Sequence, residues 1–240
     1  MILDYHFQWF SHKNINYELG SVENDACGNF GSFTPEPVRG SKILNKFLEL
    51  DFKNVLDIGA GSLEHSLIMS NCNKIVDICD YGASIYYEKK KENINLRNSY
   101  IGDFNKINFN EKYDAIWCCH ILEHQLNPNL FLTKINSILK ENGYLGIVVP
   151  IRKPHVVGGH VSLWNAGLLL YHLILANFDC SEFCKILQYD YNIGIIIKKK
   201  KINKLPVLSM DKGDIEVLSD YFPFDARHNF NGDIFELNWD

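Results

Sequence analysis

The sequence predicts an α/β fold: a doubly wound sheet of seven strands, five of them parallel and the last two forming a terminal antiparallel hairpin. Three observations carry that reading. From about residue 41 to residue 150, short and continuously apolar runs alternate with stretches of helical periodicity. Strands that are apolar on both sides belong to parallel sheets covered on both faces, and right-handed crossovers place the helices there. Beyond residue 180, the apolar runs 183–189 and 193–200 are separated by a turn near Tyr191-Asn192 that permits only antiparallel pairing.

Taken in order, residues 1–40 are irregular and aromatic (Tyr5, Phe7, Trp9, Phe10, Phe30, Phe33), and Thr34-Pro35-Glu36-Pro37 breaks any regular element. They read as an arm or cap. The sheet-forming domain spans residues 41–202. A helix begins at Ser41, a plausible cap, with Ile43, Leu44, Phe47 and Leu48 on one face. Strands follow at 54–58, 74–79, 99–101, 113–118 and 144–149, with helices after the first, second and fourth, through residues 67–70, 84–92 and 129–140. Asn142-Gly143 is the expected stop of the third of these helices. A further helix covers 163–176 and leads into the hairpin. Residues 203–240 form a tail read as irregular, with 225–239 returning near the site.

Hydrophobic residues make up 46% of the 240-residue chain, enough for one sizeable core. The formal net charge is −5 with both signs mixed, which gives no basis for a nucleic-acid partner. Lys198 to Lys201 reads as a solvated strand end. No apolar run is long enough to span a bilayer, and no secretory signal precedes the domain. Seven cysteines without zinc-like spacing suggest reduced thiols in a cytoplasmic protein.

Doubly wound sheets bind ligands at the carboxyl ends of their strands, where the strand order reverses. The first strand, Val55-Leu56-Asp57-Ile58, runs into Gly59-Ala60-Gly61, where glycine lets a ligand approach the backbone closely. Asp57 is placed to accept backbone hydrogen bonds or to meet a cationic ligand group. Asp80 ends the second strand, where a carboxylate can accept both hydroxyls of a ribose. Gly102-Asp103-Phe104 ends the third, offering an acid to an exocyclic amine and a ring to a base. Taken singly, each has a structural reading as a common turn, a helix cap or a turn former. Together they place chemistry along one sheet edge.

Asp57-Ile58-Gly59-Ala60-Gly61, Asp80, Gly102-Asp103-Phe104 and the run Tyr113 to His124 (ending His120-Ile121-Leu122-Glu123-His124) resemble class I S-adenosylmethionine-dependent methyltransferases. The His-Ile-Leu-Glu-His form is similar to their small-molecule branch. The resemblance covers roughly residues 41–200 and implies a Rossmann-like sheet with S-adenosyl-L-methionine as cofactor. It implies that Gly59 and Gly61 line the methionine part, with Asp57, Ala60 and Tyr81 also among the cofactor-binding residues. Asp80 would hold the ribose, Asp103 and Phe104 the adenine, and His120 would border the sulfonium. Where the family usually carries a third glycine, this chain has Leu63.

Methyl transfer from a sulfonium needs alignment, and an acceptor that must lose a proton benefits from a base. The loop after the fifth strand, residues 150–164, offers His160 first and His155 second as base or acceptor positioner, with His124 a further candidate. Each also has a reading as a hydrogen-bonded loop histidine. His120 and His124 with Glu123 spell a His-x-x-Glu-His pattern, but it presents two imidazoles on one face only if His120 is helical. It is read as a strand end, so no metal is expected, although a metal joining His120 or His124 to His160 stays open. Arg39, Arg152, Lys153 and Arg227 are possible anchors for an anionic acceptor. Tyr5, Trp9, Phe30, Phe33 and Trp164 are possible pocket walls or core residues. The expected acceptor is a small polar metabolite, with a sugar or phosphorylated precursor O-methylated in bacterial surface-polysaccharide synthesis as the candidate. Two alternatives remain at this stage: a nicotinamide-dependent oxidoreductase, and a non-catalytic cofactor-binding domain.

Overall fold

The computed structural model describes residues 38–90, 94–153, 155–228 and 230–240. Five parallel strands, β1 (Asn54–Ile58), β2 (Ile75–Asp80), β3 (Leu96–Ile101), β4 (Tyr113–Cys119) and β5 (Leu139–Pro150), form one sheet with β6 (Cys184–Tyr189), β7 (Asn192–Lys198) and β8 (Glu236–Leu237). The order is β3-β2-β1-β4-β5-β7-β6-β8. β7 pairs antiparallel with both β5 and β6, as the two-residue Asp190-Tyr191 connection demands. β8, antiparallel to β6, is the strand that makes the count eight instead of the expected seven. At two residues it is too short to show a period of two, and it lies in the stretch read as irregular tail.

Alternation along the strands sends side chains into two cores. Leu56, Ile58, Ile116 and Cys118 face the layer of α4 (Pro128–Ile138) and α5 (Ala166–Leu175), where Phe131, Ile135, Leu169 and Leu173 are fully buried. Val55, Ala115 and Trp117 face α1 (Ser41–Leu48) and α2 (Glu64–Asn71) with Ile43, Phe47 and Met69. Burial of both faces is what made these strands read as continuous apolar runs. Fully buried Asp77 locks β2 to its neighbours: it accepts from the Arg97 guanidinium at 2.7 Å and the Tyr113 hydroxyl at 2.8 Å. Those bonds and the Arg97 charge hold its carboxyl below the usual range against the opposing effect of burial.

Several expected boundaries move for local reasons. Ser41 is the first helical residue of α1, and left-handed Gly40 holds the N-cap position with no side-chain cap. α3 is a single turn, Ile85–Glu88, in which the Ser84 hydroxyl accepts the Tyr87 N–H. α4 stops at Ile138, ahead of Asn142-Gly143. That pair instead sits in a register shift of β5, where Asn142 adopts φ 60° and Tyr113 and Ala115 pair with Leu139 and Tyr144. α5 starts at Ala166 because Asn165 caps it, accepting the Leu168 N–H at 2.9 Å. The tail is not wholly irregular: it holds α6 (Asp214–Leu218) as well as β8. No helix among the described residues is long and apolar enough to cross a membrane.

Candidate functional site

The strand order reverses between β1 and β4, and a cavity of about 620 Å³ opens at the carboxyl ends of the strands there. That volume lies within the range of about 300–1,000 Å³ usual for small-molecule sites. Its floor is the turn from β1 into α2. Gly59 has φ 74° and donates its N–H to the Cys79 carbonyl at 2.7 Å. A Cβ there would come within 2.0 Å of Ile121 Cδ1, so any other residue would be strained at this φ and would have to displace Ile121. Leu63, where a third glycine was absent, nevertheless takes the left-handed conformation at φ 66° and occupies the N-cap of α2. Its side chain is buried in the core beside α1, which offsets the strain.

Asp80 gathers this turn and the next. One carboxylate oxygen accepts the Gly61 N–H at 2.9 Å, and the other accepts the Gly82 N–H at 2.8 Å. Each oxygen keeps a second lone pair, and Asp80 lines the cavity. Asp103 and Phe104 line it from the end of β3, as do Ala60, Gly61, Tyr81 and His120. Asp103 accepts the Asn105 N–H at 3.0 Å, and Phe104 is largely committed to the core against Phe131. Tyr81 is mostly exposed.

Asp57 lies beneath the turn rather than on the cavity wall. It is 2% exposed and accepts the Ser66 hydroxyl at 2.6 Å, a partner not foreseen. Burial pushes its pKa up to about 7, against the effect of the Ser66 bond and with added repulsion from Asp80.

His120 follows β4 with φ 55° and is 8% exposed. Its Nε2 lies 2.8 Å from Asn192 Oδ1, and its Nδ1 lies 3.3 Å from Glu123 Oε1. Glu123 and His124 lie in a 3-10 turn, Leu122–His124. His124 lines the cavity and its Nδ1 donates to the Gly159 carbonyl at 2.7 Å. His160, in the same loop as Gly159, sits with its ring 5.0 Å from that of His124, edge to face. It lines a second cavity of about 170 Å³, which shares Arg39 and His120 with the first. Burial draws the His160 pKa below its ordinary value. His155, from the same loop, is exposed and lines neither cavity.

Among the proposed anion anchors, Arg39 lines both cavities and Lys153 the smaller one. Arg152 lies 3.7 Å from Asp233, and Arg227 pairs with Asp220 and Asp225; neither lines a cavity. Trp164 is a buried core residue. Tyr5, Trp9, Phe30 and Phe33 fall outside the described residues.

Two contributors were not read from the sequence. His65 accepts the Trp117 indole N–H at 3.0 Å and donates to the Arg39 carbonyl at 2.8 Å. Burial lowers its pKa to about 4, so it stays neutral and pins Arg39 against the cavity. Glu123, named in the sequence only as the acid of the His-x-x-Glu-His pattern, is fully buried with no hydrogen bond to either carboxylate oxygen. Its only sequence signal was an acid between two histidines.

A family profile described as a methyltransferase domain matches residues 34–183. The ubiquinone biosynthesis O-methyltransferase of Glaesserella parasuis serovar 5 (strain SH0165) is 34% identical over 130 residues, covering 49% of this chain and 55% of that protein. The match therefore spans little more than half of the relative's length. Among solved structures, an S-adenosylmethionine-dependent methyltransferase from Clostridium acetobutylicum ATCC 824 superposes with a TM-score of 0.53 at 12% identity, over 68% of this chain and 92% of that one. The Burkholderia thailandensis 1,6-didemethyltoxoflavin-N1-methyltransferase, with its acceptor and S-adenosylhomocysteine bound, gives 0.54 at 16% identity, over 66% and 76%. The chain thus belongs to the methyltransferase-domain family, and its fold is that of the class I S-adenosylmethionine-dependent methyltransferases.

Proposed function

We propose that this protein transfers a methyl group from S-adenosyl-L-methionine to a hydroxyl oxygen of a small polar molecule. The observation that carries the reading is Asp80: a carboxylate on the cavity wall, held by the Gly61 and Gly82 amides, with a free lone pair on each oxygen. Such a group is made for two neighbouring hydroxyls. The glycine turn leaves the backbone open beside it, and Asp103 with the edge of Phe104 bounds the far end, where an adenine would lie. The cofactor supplies an electrophilic methyl group on a sulfonium.

The chain's own task is alignment and proton handling. His120 is fixed by Asn192, and His124 by Gly159. The smaller cavity, between Arg39, Lys153 and His160, is the place for the acceptor. An oxygen acceptor is favoured by the relative whose name gives an O-methyltransferase. The sugar-phosphate expectation draws no support from Arg152 and Arg227, which are engaged with acidic residues of the tail. The antiparallel β5-β7-β6 edge weighs against a nicotinamide oxidoreductase.

Calorimetry of the full chain with S-adenosylmethionine, S-adenosylhomocysteine and NADH tests the reading. Binding of the first two and not the third is expected. Selective NADH binding would replace methyl transfer with hydride chemistry, and no turnover with any hydroxylated acceptor would leave only a binding domain.

A further inference from the structure

Where the two cavities adjoin, Glu123, His124 and His160 bring one carboxylate and two imidazoles together, with a ligand atom of each lying within 4.8 Å of the others. The carboxylate is the unusual member. Glu123 is fully buried, and neither oxygen has a hydrogen-bond partner. Its nearest cationic candidates, His120 Nδ1 at 3.3 Å and His124 Nε2 at 3.8 Å, lack hydrogen-bond geometry. A buried carboxyl group with both oxygens unpartnered calls for a partner.

His124 is already prepared as a ligand. A carbonyl oxygen can only accept, so the bond to Gly159 places the His124 proton on Nδ1. The lone pair of the neutral ring is then on Nε2, the atom facing Glu123. An imidazole whose other nitrogen donates to a backbone carbonyl is the usual outer-shell arrangement around a bound metal. His160 is the adjustable member. It follows Gly158-Gly159 in a loop, and a shift of about 1 Å brings the three atoms to the spacing that bonds of about 2.0–2.2 Å require.

We propose that Glu123, His124 and His160 form a binding site for a divalent transition metal of the zinc class. Two imidazoles and one carboxylate suit zinc rather than magnesium or calcium, and three protein ligands leave a fourth position open. This set differs from the His-x-x-Glu-His pattern in the sequence, because His160 replaces His120, which is held by Asn192. His124 lines the larger cavity and His160 the smaller, so the open position lies at their junction. What the metal does there rests on the methyl-transfer reading. An acceptor hydroxyl at the open position loses its proton to solvent more readily. The oxygen lone pair then forms the new bond to carbon as the carbon–sulfur bond breaks.

Metal binding is tested without cofactor or acceptor, so that its failure and a failure of methyl transfer are separate results. The tag-free full chain, stripped with a chelator and exchanged, is titrated with Zn2+ by calorimetry and with Co2+ by visible absorption. One equivalent of each is expected, with tetrahedral-type cobalt bands. His160→Ala and Glu123→Gln should each weaken Zn2+ binding at least tenfold, and His155→Ala, in the same loop but outside both cavities, should not change it. Unchanged thermal melting of His160→Ala guards against a folding effect, and Glu123→Gln offers a second test should that variant melt early. The proposal is overturned if the wild type takes up no stoichiometric Zn2+, if His160→Ala and Glu123→Gln bind like wild type, or if His155→Ala weakens binding as much as they do. Stoichiometric metal with no S-adenosylhomocysteine binding would leave the site standing and remove the methyl-transfer reading.

Discussion

Replacing Asp80 by Asn separates the ribose reading from a purely structural role for this carboxylate. The wild-type side chain meets two backbone donors, Gly61 N–H at 2.9 Å and Gly82 N–H at 2.8 Å, one on each oxygen. An amide has one oxygen and one NH2, so in either orientation a donor faces a donor. The residue is only 6% exposed, and water cannot fully relieve that mismatch. Leaving a buried donor unsatisfied costs about 1–3 kcal/mol. In a chain of this size that lowers Tm by about 2–4 °C per kcal/mol. The ligand loses separately. One ribose hydroxyl no longer finds a charged acceptor, an interaction of about 1.5–3 kcal/mol, or roughly a 10- to 150-fold rise in Kd for S-adenosylhomocysteine.

Both effects follow from the same substitution, so the deciding assay is a cycle of protein and ligand. Calorimetry would compare wild type and Asp80→Asn with S-adenosylhomocysteine and with an analogue lacking the ribose 2′-hydroxyl. Removing the hydroxyl should weaken binding to the wild type about tenfold or more and change binding to the variant much less. If hydroxyl removal costs the same in both proteins, Asp80 only braces the turns and the ribose assignment is wrong.

Three further substitutions test the surroundings of that carboxylate. Gly59→Ala forces a Cβ into left-handed backbone and against Ile121; S-adenosylhomocysteine binding measured by calorimetry should fall below detection while the chain still folds. Asp57→Asn removes a carboxyl that burial raises to about 7. The native state holds that proton up to about pH 7 and the unfolded chain releases it near 4, so this group makes wild-type stability fall as pH rises across that window. Urea melts should show Asp57→Asn gaining on wild type from about pH 4 to pH 7, by up to about 4 kcal/mol, with no further divergence above; a constant difference across the window would contradict the assignment. Leu63→Gly relieves about 1–2 kcal/mol of left-handed strain but forfeits a buried side chain worth about 2–5 kcal/mol, so the variant should be less stable by up to about 4 kcal/mol with cofactor affinity unchanged, as melts and calorimetry would show.

How far the sequence could be read depends on the range of the interaction involved. β1, continuously apolar and bounded by Asn54 and Gly59, was legible to the residue because both of its faces are buried. β8 was not, because a two-residue pairing with β6 depends on where the tail arrives and leaves no local pattern. The end of α4 was misplaced for a different reason. Asn142-Gly143 is a sound helix stop, but Asn also serves left-handed bulges in strands, and the choice is made by pairing with β4. Within the site, the glycine turn, Asp80 and Asp103 stand at strand ends and could be placed by counting elements. His155 and His160 belong to one loop with similar surroundings in sequence, and only the fold puts His160 beside His124. His65 and Glu123 owe their roles to partners far along the chain, Trp117 and Arg39 for the first and the loop of Gly159 for the second.

The distribution of left-handed residues carries an argument of its own. Among the described non-glycine residues with positive φ, Asn73, Asn142, Asn177, Asp190 and Asn238 are of the two types that tolerate it, and Met210 is exposed in the tail. Leu63 and His120 are the two that are buried, and only Leu63 is of a type that disfavours the conformation; both stand at the carboxyl ends of the central strands, one after β1 and one after β4. A strained conformation persists only where its surroundings over-determine it. Here they do: the Leu63 N–H is bonded to the Ala60 carbonyl and its side chain is buried, while the His120 N–H is bonded to Val148 and its ring to Asn192. Sheet packing contributes the free energy that holds both turns away from relaxed geometry. The turns are the two walls that part where the strand order reverses. Both departures stand at the carboxyl ends of β1 and β4, and among the other described non-glycine residues the left-handed turns fall, Met210 apart, to Asn and Asp.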